Sequence, residues 1–287
     1  YAAKPLEAVR TTPFYRASNF VPRLIGTLTD IMAARLVGII CAPKPTWKPV
    51  SLLGGLPHEY LEEMGKWLEY ITHYEMQFFE SLDLGIFRTC KTGTVIWKAP
   101  WEEKVVQLVS GLSEDGKGLA EKTHSQEGLC ISDIPYEDFW PYPINCRSLK
   151  HALIKFHRVR LTREQVELRK NRGIWDRSVV ESLLLGGPKN ADPVLDAKAK
   201  AASITLTTDV SRPYNAVEAW FDYELLPGKI YKLVCVFNPD GQANSSCLRL
   251  YYQYYSKPID PFVDARIMPK EDAFYGMSMP EMLEQSQ

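Results

Sequence analysis

His58 and Glu59 begin the stretch HEYLE, where a zinc hydrolase would carry HExxH, two histidines one helical turn apart on the metal and a glutamate as base. Glu62 occupies the place of the second histidine, so no zinc site is expected there. His151 and His157 lie six residues apart on a basic segment without partnering cysteines or carboxylates, and read as surface histidines. LGGPKN (185–190) has two glycines and a lysine but not the GxxxxGK[ST] spacing that wraps backbone amides around phosphates. No GxSxG elbow and no CxxC pair occurs; Cys41, Cys90, Cys130, Cys146, Cys235 and Cys247 are scattered singly and read as free buried thiols. Glu137 and Asp138 could form an acid/base pair, but adjacent residues diverge on most backbones, so a structural role is expected. No catalytic, cofactor or metal site emerges, and the chain does not read as an enzyme.

Two constellations carry more. LYYQYYSKP (250–258) sets Tyr251, Tyr252, Tyr254 and Tyr255 beside Lys257. Such aromatics can stack on single-stranded bases, or fill a sheet or subunit interface. Without a surrounding basic groove, packing is the expectation. Residues 146–177 carry ten Lys/Arg against three Asp/Glu, a local +7 that leaves −8 in the remainder of a chain of net −1. The run is either a solvated helix face or a docking surface for an acidic partner or a DNA backbone.

The elements that must position these residues follow from periodicity. Ile25, Leu28, Met32, Leu36 and Ile39 form one face of a helix over 22–42. Leu61, Met64, Leu68, Ile71, Tyr74, Phe78 and Leu82 predict a second helix from about Pro57 to Leu84, with Gly85 as its stop. TVIWK (94–98) and KVVQLVS (104–110) predict strands. LTREQVELRKNRG predicts a short helix capped by Thr162 and stopped by Gly173. VEAWFDYEL (217–225), KIYKLVCVF (229–237) and CLRLYYQYY (247–255) are strand-like, the last two flanking a turn at Asp240-Gly241 and therefore pairing as a hairpin. EDGKG (114–118) and residues 186–202 read as loops. Near the end, Ser278, Pro280 and Glu281 spell a capping box. An apolar content of 45 % with 24 % charged residues is ordinary for a globular protein. The apolar stretch LVGIICA (36–42) is far too short to span a bilayer, no secretory signal opens the sequence, and Tyr1 in place of Met suggests processing, trimming or a missing beginning.

Four stretches in order resemble the portal, or head-to-tail connector, proteins of short-tailed bacteriophages. TPFYRASNFVPRLIGTLTDIMAARL (12–36) is similar to the asparagine–apolar–proline opening before a helix. EMQFFESLDLGIFRTCKTGTVIWKAPWEE (75–103) is similar to the family's long helix running through glycine into strands. DIPYEDFWPYP (133–143), with Pro135, Tyr136, Glu137, Asp138 and Phe139, resembles its Pro–aromatic–Glu–Asp–Phe element. SKPIDPFVDARIMPKEDAFYGMSMPEMLEQSQ (256–287), with Tyr275, Gly276, Ser278 and Glu281, resembles the transition into a helix beside the channel. Family members run considerably further, so the resemblance implies the N-terminal part of such a protein.

The resemblance implies an α+β subunit: a wing-like region over 1–130, a β-rich region with a basic helix over 131–270, and the start of a channel-side helix over 271–287. It implies a homo-oligomeric ring, typically of twelve copies, at one capsid vertex of the virion, assembled in the host cytoplasm. Double-stranded DNA would pass through it; capsid protein, terminase and tail or adaptor proteins would dock on it; no cofactor and no membrane are implied. Arg158, Arg160, Arg163, Arg169 and Lys170 are the expected docking residues, with Asp138 paired to arginines of the basic run. Gly276 is expected to let the backbone turn sharply. A nucleic-acid-binding module using 250–255 and the basic run is the alternative.

Overall fold

Small side chains set how the first helix packs. A computed structural model describes residues 24–43, 46–51, 54–76, 78–112, 119–187, 196–197, 199–200, 213–239, 246–252 and 260–285. The chain is an α+β protein of two units, one built from residues before 135 together with 261–271 and 275–287, the other from 135–260 and 272–274.

In the first unit, α1 (Leu24–Cys41) packs on α3 (Phe78–Thr92). Among the described side chains of α1, Gly26, Thr29 and Ala33 are buried, while Leu28, Ile31, Ile39 and Ile40 are 43–70 % exposed. Of the expected face, Met32 and Leu36 pack against the core, whereas Leu28 and Ile39 are turned away from it. Ala33 of α1 meets Leu82, Ile86 and Cys90 of α3 in one buried cluster, with Met32, Leu36, Val37 and Cys41 packed around it.

The second expected helix is two. α2 (His58–Tyr70) widens into a π-turn at Ile71–Glu75, and α3 then continues past Gly85 to Thr92. The cause of the break is non-local: the Trp47 indole N–H donates to Thr72 Oγ1 (3.0 Å), and that hydroxyl donates back to the Leu68 carbonyl (2.8 Å). A side chain bonded into the helical ladder is a common origin of such irregularity. Gly85 lies buried inside α3 against the Trp97 ring, where a Cβ would stand 2.4 Å from a ring carbon. Gly93, at φ +83°, is the residue that ends the helix.

β1 (Thr94–Lys98) follows and is the middle strand of a three-stranded antiparallel sheet. It pairs with β4 (Ser132–Ile134) through Ile96 opposite Ile134, and with β10 (Phe262–Arg266) through Thr94 opposite Arg266. β2 (Trp101–Leu112) pairs only with β3 (Leu119–Leu129) among the described residues, a long hairpin whose second strand, LAEKTHSQEGL, lacks the apolar alternation that would announce it. The short helix α6 (Met279–Gln285) closes this unit.

The second unit is an antiparallel meander of five strands in sequence order: β5 (Phe139–Tyr142), β6 (Ile154–Leu161), β7 (Tyr214–Leu226), β8 (Lys229–Phe237) and β9 (Cys247–Tyr252). β8 and β9 form the expected hairpin. Between β6 and β7 the chain makes α4 (Arg163–Asn171) and α5 (Arg177–Gly186). Val166, Trp175, Val180 and Leu183 from this segment meet Leu161, Tyr214, Ala216, Val236 and Leu248 of the sheet in one buried cluster. α4 has the full capping box, Thr162 with Gln165, and Gly173 at φ +67° just beyond it; α5 is capped by Asp176 on the amides of Ser178 and Val179. Residues 1–23, 114–118 and most of 186–202 lie outside the described residues, and with them the predicted opening motif and two predicted loops.

Gly276 crosses Gly93 with no space between the backbones: a Cβ on Gly276 would lie 2.7 Å from the carbonyl oxygens of both Gly93 and Met268. Gly276→Ala is expected to lower stability by about 1–3 kcal/mol through overpacking, read as a lower denaturation midpoint at unchanged slope.

Candidate functional site: a carboxylate held by two arginines

The segment expected to carry the portal-like element turns around one carboxylate. Pro135, at φ −56°, leads into a single 3₁₀ turn, Tyr136–Asp138, closed by the Asp138 amide on the Pro135 carbonyl (2.9 Å). The turn places Phe139, fully buried, against Phe274 with ring centroids 6.1 Å apart, while Tyr136 stays half exposed. Asp138 is 4 % exposed. Arg158 Nε donates to its Oδ1 at 2.7 Å and Arg160 Nη1 to its Oδ2 at 2.5 Å. Arg158 Nη2 also donates to the Glu137 carbonyl (3.2 Å), and its guanidinium lies 5.4 Å from the centre of the Trp140 ring.

Strand geometry explains the fork. Residues two apart on β6 face the same way, so Arg158 and Arg160 straddle one carboxylate, and β5 runs alongside with Trp140 opposite Phe156. The expected pairing of Asp138 with arginines of the basic run is thus present. Two cations around one buried anion form an arrangement that can hold strands in register.

The other expected docking residues are also engaged close to home. Arg163 pairs with Glu167 on the exposed side of α4 (2.9 Å), and its ordinary high pKa is raised further by that hydrogen bond. Arg169 reaches the Gln165 carbonyl (3.3 Å) and lies over Trp175. Lys170 meets Glu181 at 2.8 Å, and this ammonium, with Arg177, holds the Glu181 carboxyl below its usual range. The charge asymmetry of 146–177 is therefore spent largely on internal pairs across α4, α5 and β6.

Sequence reasoning missed His157. It is not a surface histidine: its side chain is 13 % exposed and its Nδ1 lies 3.3 Å from Glu218 Oε2, which also accepts from Trp220 Nε1 (3.2 Å). The signal was strand alternation, which puts His157 opposite Glu218 across β6 and β7. His151 is exposed as expected. Tyr251 is half buried, edge-on to Trp220 and under Arg249 at 4.2 Å; burial pushes its hydroxyl up to about 12. Tyr254 and Tyr255 fall outside the described residues. His58 and Glu62 form an exposed pair at 3.5 Å. Among the described residues no cluster of three or more His, Cys, Asp or Glu is arranged for a metal ion, and no helix is long and apolar enough to cross a membrane.

In the first unit, Tyr275, Gly276 and Ser278 lead into α6, and Glu281 lies in its first turn. Gly276 is required by the close approach to Gly93 rather than by a sharp turn, since its φ lies outside the left-handed region, and its amide donates to Thr94 Oγ1 at 2.7 Å. Ser278 and Glu281 form a reciprocal cap: the Glu281 amide reaches Ser278 Oγ (3.3 Å) and the Ser278 amide reaches Glu281 Oε2 (2.9 Å). Tyr275 is half buried beside them.

Asp138→Asn is expected to cost about 3–5 kcal/mol, because it leaves two guanidiniums apposed without their anion. Adding Arg158→Met and Arg160→Leu should recover part of that loss in chemical denaturation, since an apolar replacement of the whole group removes the uncompensated charge. The cap predicts a pH effect with a definite sign. The Ser278 amide, then the Lys270 ammonium, hold the Glu281 carboxyl below its ordinary value. Its contribution is complete above the unfolded value and is lost as pH falls through the depressed one. Hydrogen exchange of the α6 amides, corrected for intrinsic rates, should lose protection over that acidic window in the native chain and show no such step in Glu281→Gln. Compared with protein-family models and with curated proteins, the chain matches none.

Proposed function

We propose that the chain is a wall segment of a portal-type ring, identical copies closed around a passage for double-stranded DNA and doing no chemistry themselves. The observation that carries this reading is the aromatic row along α2 and the π-turn that follows it. Tyr60, Trp67, Tyr70 and Tyr74 are 53, 60, 55 and 75 % exposed, with Met64 between them. The opposite side of the same helix carries Gly65, packed on the Trp47–Pro49 segment. Large aromatics in helical register on the outer side are what subunit interfaces bury, and they fit a contact between copies better than contact with water. A ring of identical subunits joins two different surfaces of each copy through a rotation that closes on itself.

Charge fits the same reading. Every phosphate neutralised adds counterion-release affinity, and a ring multiplies each contact by its copy number. A conduit is served by few persistent cations, and a net charge of −1, with the basic run engaged by Asp138, Glu167 and Glu181, is compatible with weak DNA contact. Terminase, capsid and tail or adaptor proteins are the proposed partners. Of the five expected docking residues, Arg163, whose side chain is 68 % exposed, is the best placed to meet one.

Negative-stain microscopy of the purified protein is the direct test, with rings around a central hole as the expected image. Trp67→Glu should leave the far-UV circular dichroism unchanged and convert rings to monomers. Rings indifferent to that substitution, or a wild-type protein monomeric at every concentration, would sink the reading. Tight, salt-dependent retention of DNA by the monomer on filters would favour a nucleic-acid-binding module instead.

A further inference from the structure

Two of the scattered cysteines meet. Cys235 on β8 and Cys247 on β9 are twelve positions apart in the chain, with Sγ atoms 3.9 Å from each other. The register accounts for it: Cys235 is opposite Leu250 and Phe237 opposite Cys247, so both thiols project from one face of the hairpin. A break in register between Val236 and Phe237 lies beside the pair, where the local twist of the strands increases. Cys247 is exposed and Cys235 half buried, whereas Cys90 and Cys146 are buried. The sulfurs, 3.9 Å apart, must approach to about 2.05 Å to bond, a movement side-chain rotation on both strands has to supply.

We propose that Cys235 and Cys247 form a thiol–disulfide modification site, in which a low-molecular-weight disulfide such as glutathione disulfide converts the pair to an intramolecular cross-link clipping edge strand β9 to β8. In the first step the thiolate of exposed Cys247 attacks one glutathione sulfur; the Cys247–glutathione bond forms, the glutathione S–S bond breaks and one glutathione thiolate leaves. In the second, the Cys235 thiolate attacks Cys247 Sγ; the protein S–S bond forms and the second glutathione leaves. Two protein thiols are oxidised, one glutathione disulfide is reduced to two thiols, and the two cysteine protons pass through solvent to the leaving thiolates. Burial, with Cys247 beside it, pushes Cys235 up to about 11. The second step needs the Cys235 thiolate, which burial disfavours, so its rate should rise with pH.

The cross-link would act on more than a loop. Leu248, next to Cys247, is buried in the cluster beneath α4 and α5, and its carbonyl accepts from the amide of Asp176, the cap of α5, at 2.8 Å. Clipping β9 at Cys247 therefore constrains the strand that anchors the helical cover of this sheet.

The test is incubation of the folded full chain with glutathione disulfide, followed by thiol counting and peptide mapping without reduction. Two of the six thiols should be lost, with a peptide joining Cys235 to Cys247 and an upward shift of the unfolding midpoint that dithiothreitol reverses. Cys235→Ser should stop at a glutathione adduct on Cys247, and Cys247→Ser should leave Cys235 unmodified. Circular dichroism of both variants guards against misfolding. A persistent adduct on Cys247 in the wild-type chain at alkaline pH, a link between two copies, a cross-link formed only in denaturant, or six thiols remaining would each overturn the proposal. Ring assembly enters none of these readouts, so failure here leaves the oligomer question untouched, and the converse holds.

Discussion

A carboxylate removed from water must be compensated where it stands. Asp138 satisfies that condition with two guanidiniums on one strand, and much of the second unit is arranged as the condition requires. The arginines must alternate correctly on β6, the 3₁₀ turn must aim the carboxylate inward, and Phe139 must be buried on the far side of the turn. A slip of β6 by one residue would turn Arg158 and Arg160 to the opposite face, away from their anion, and with them His157 away from Glu218. Ionic pairing of this kind adds little net stability compared with apolar packing, but it penalises wrong registers heavily. In a meander whose strands join only to neighbours, that penalty is a useful one.

The first unit depends on a different limit, the absence of side chains. Gly85 admits the Trp97 ring, whose indole N–H reaches the Ser81 carbonyl at 3.3 Å, and Gly93 and Gly276 let two backbone segments touch. Thr94 and the Gly276 amide then bond across that contact. These glycines bring α3, β1, β10 and the start of α6 to within van der Waals distance of one another, and the α6 cap follows two residues later.

What was legible in the sequence is what is decided locally. The capping boxes at Thr162 and Ser278 could be read directly, because a hydroxyl and an acid or amide three residues apart act within one turn. The strands β1, β7, β8 and β9 were legible from branched and aromatic content. The faces of α1 and α2 were legible only in part: Met32 and Leu36 pack inward, and Leu61, Leu68 and Ile71 are half buried. Leu28, Ile39, Met64 and Tyr74 remain outside because small residues such as Ala33 and Gly65 take the closest contacts. The π-turn was hidden because its cause, Trp47, lies 25 residues from Thr72. β3 was hidden because its residues are polar and its partner alone makes it a strand. Of the candidate site, the link between Asp138 and the basic run was foreseen, whereas the His157–Glu218 contact and the meeting of Cys235 with Cys247 depend on register, which no single stretch contains.

The strand order carries a consequence for how such a chain emerges during synthesis. β1 acquires its β10 neighbour only when residue 262 has been made, and Gly93 waits still longer for Gly276. Between them the whole meander is translated, and each of its strands pairs with one already available. Loop closure over so long a separation is entropically the later event. The stretch translated first is thus the last to complete its sheet, and until then its bare strand edge is the part of the nascent chain most exposed to mispairing.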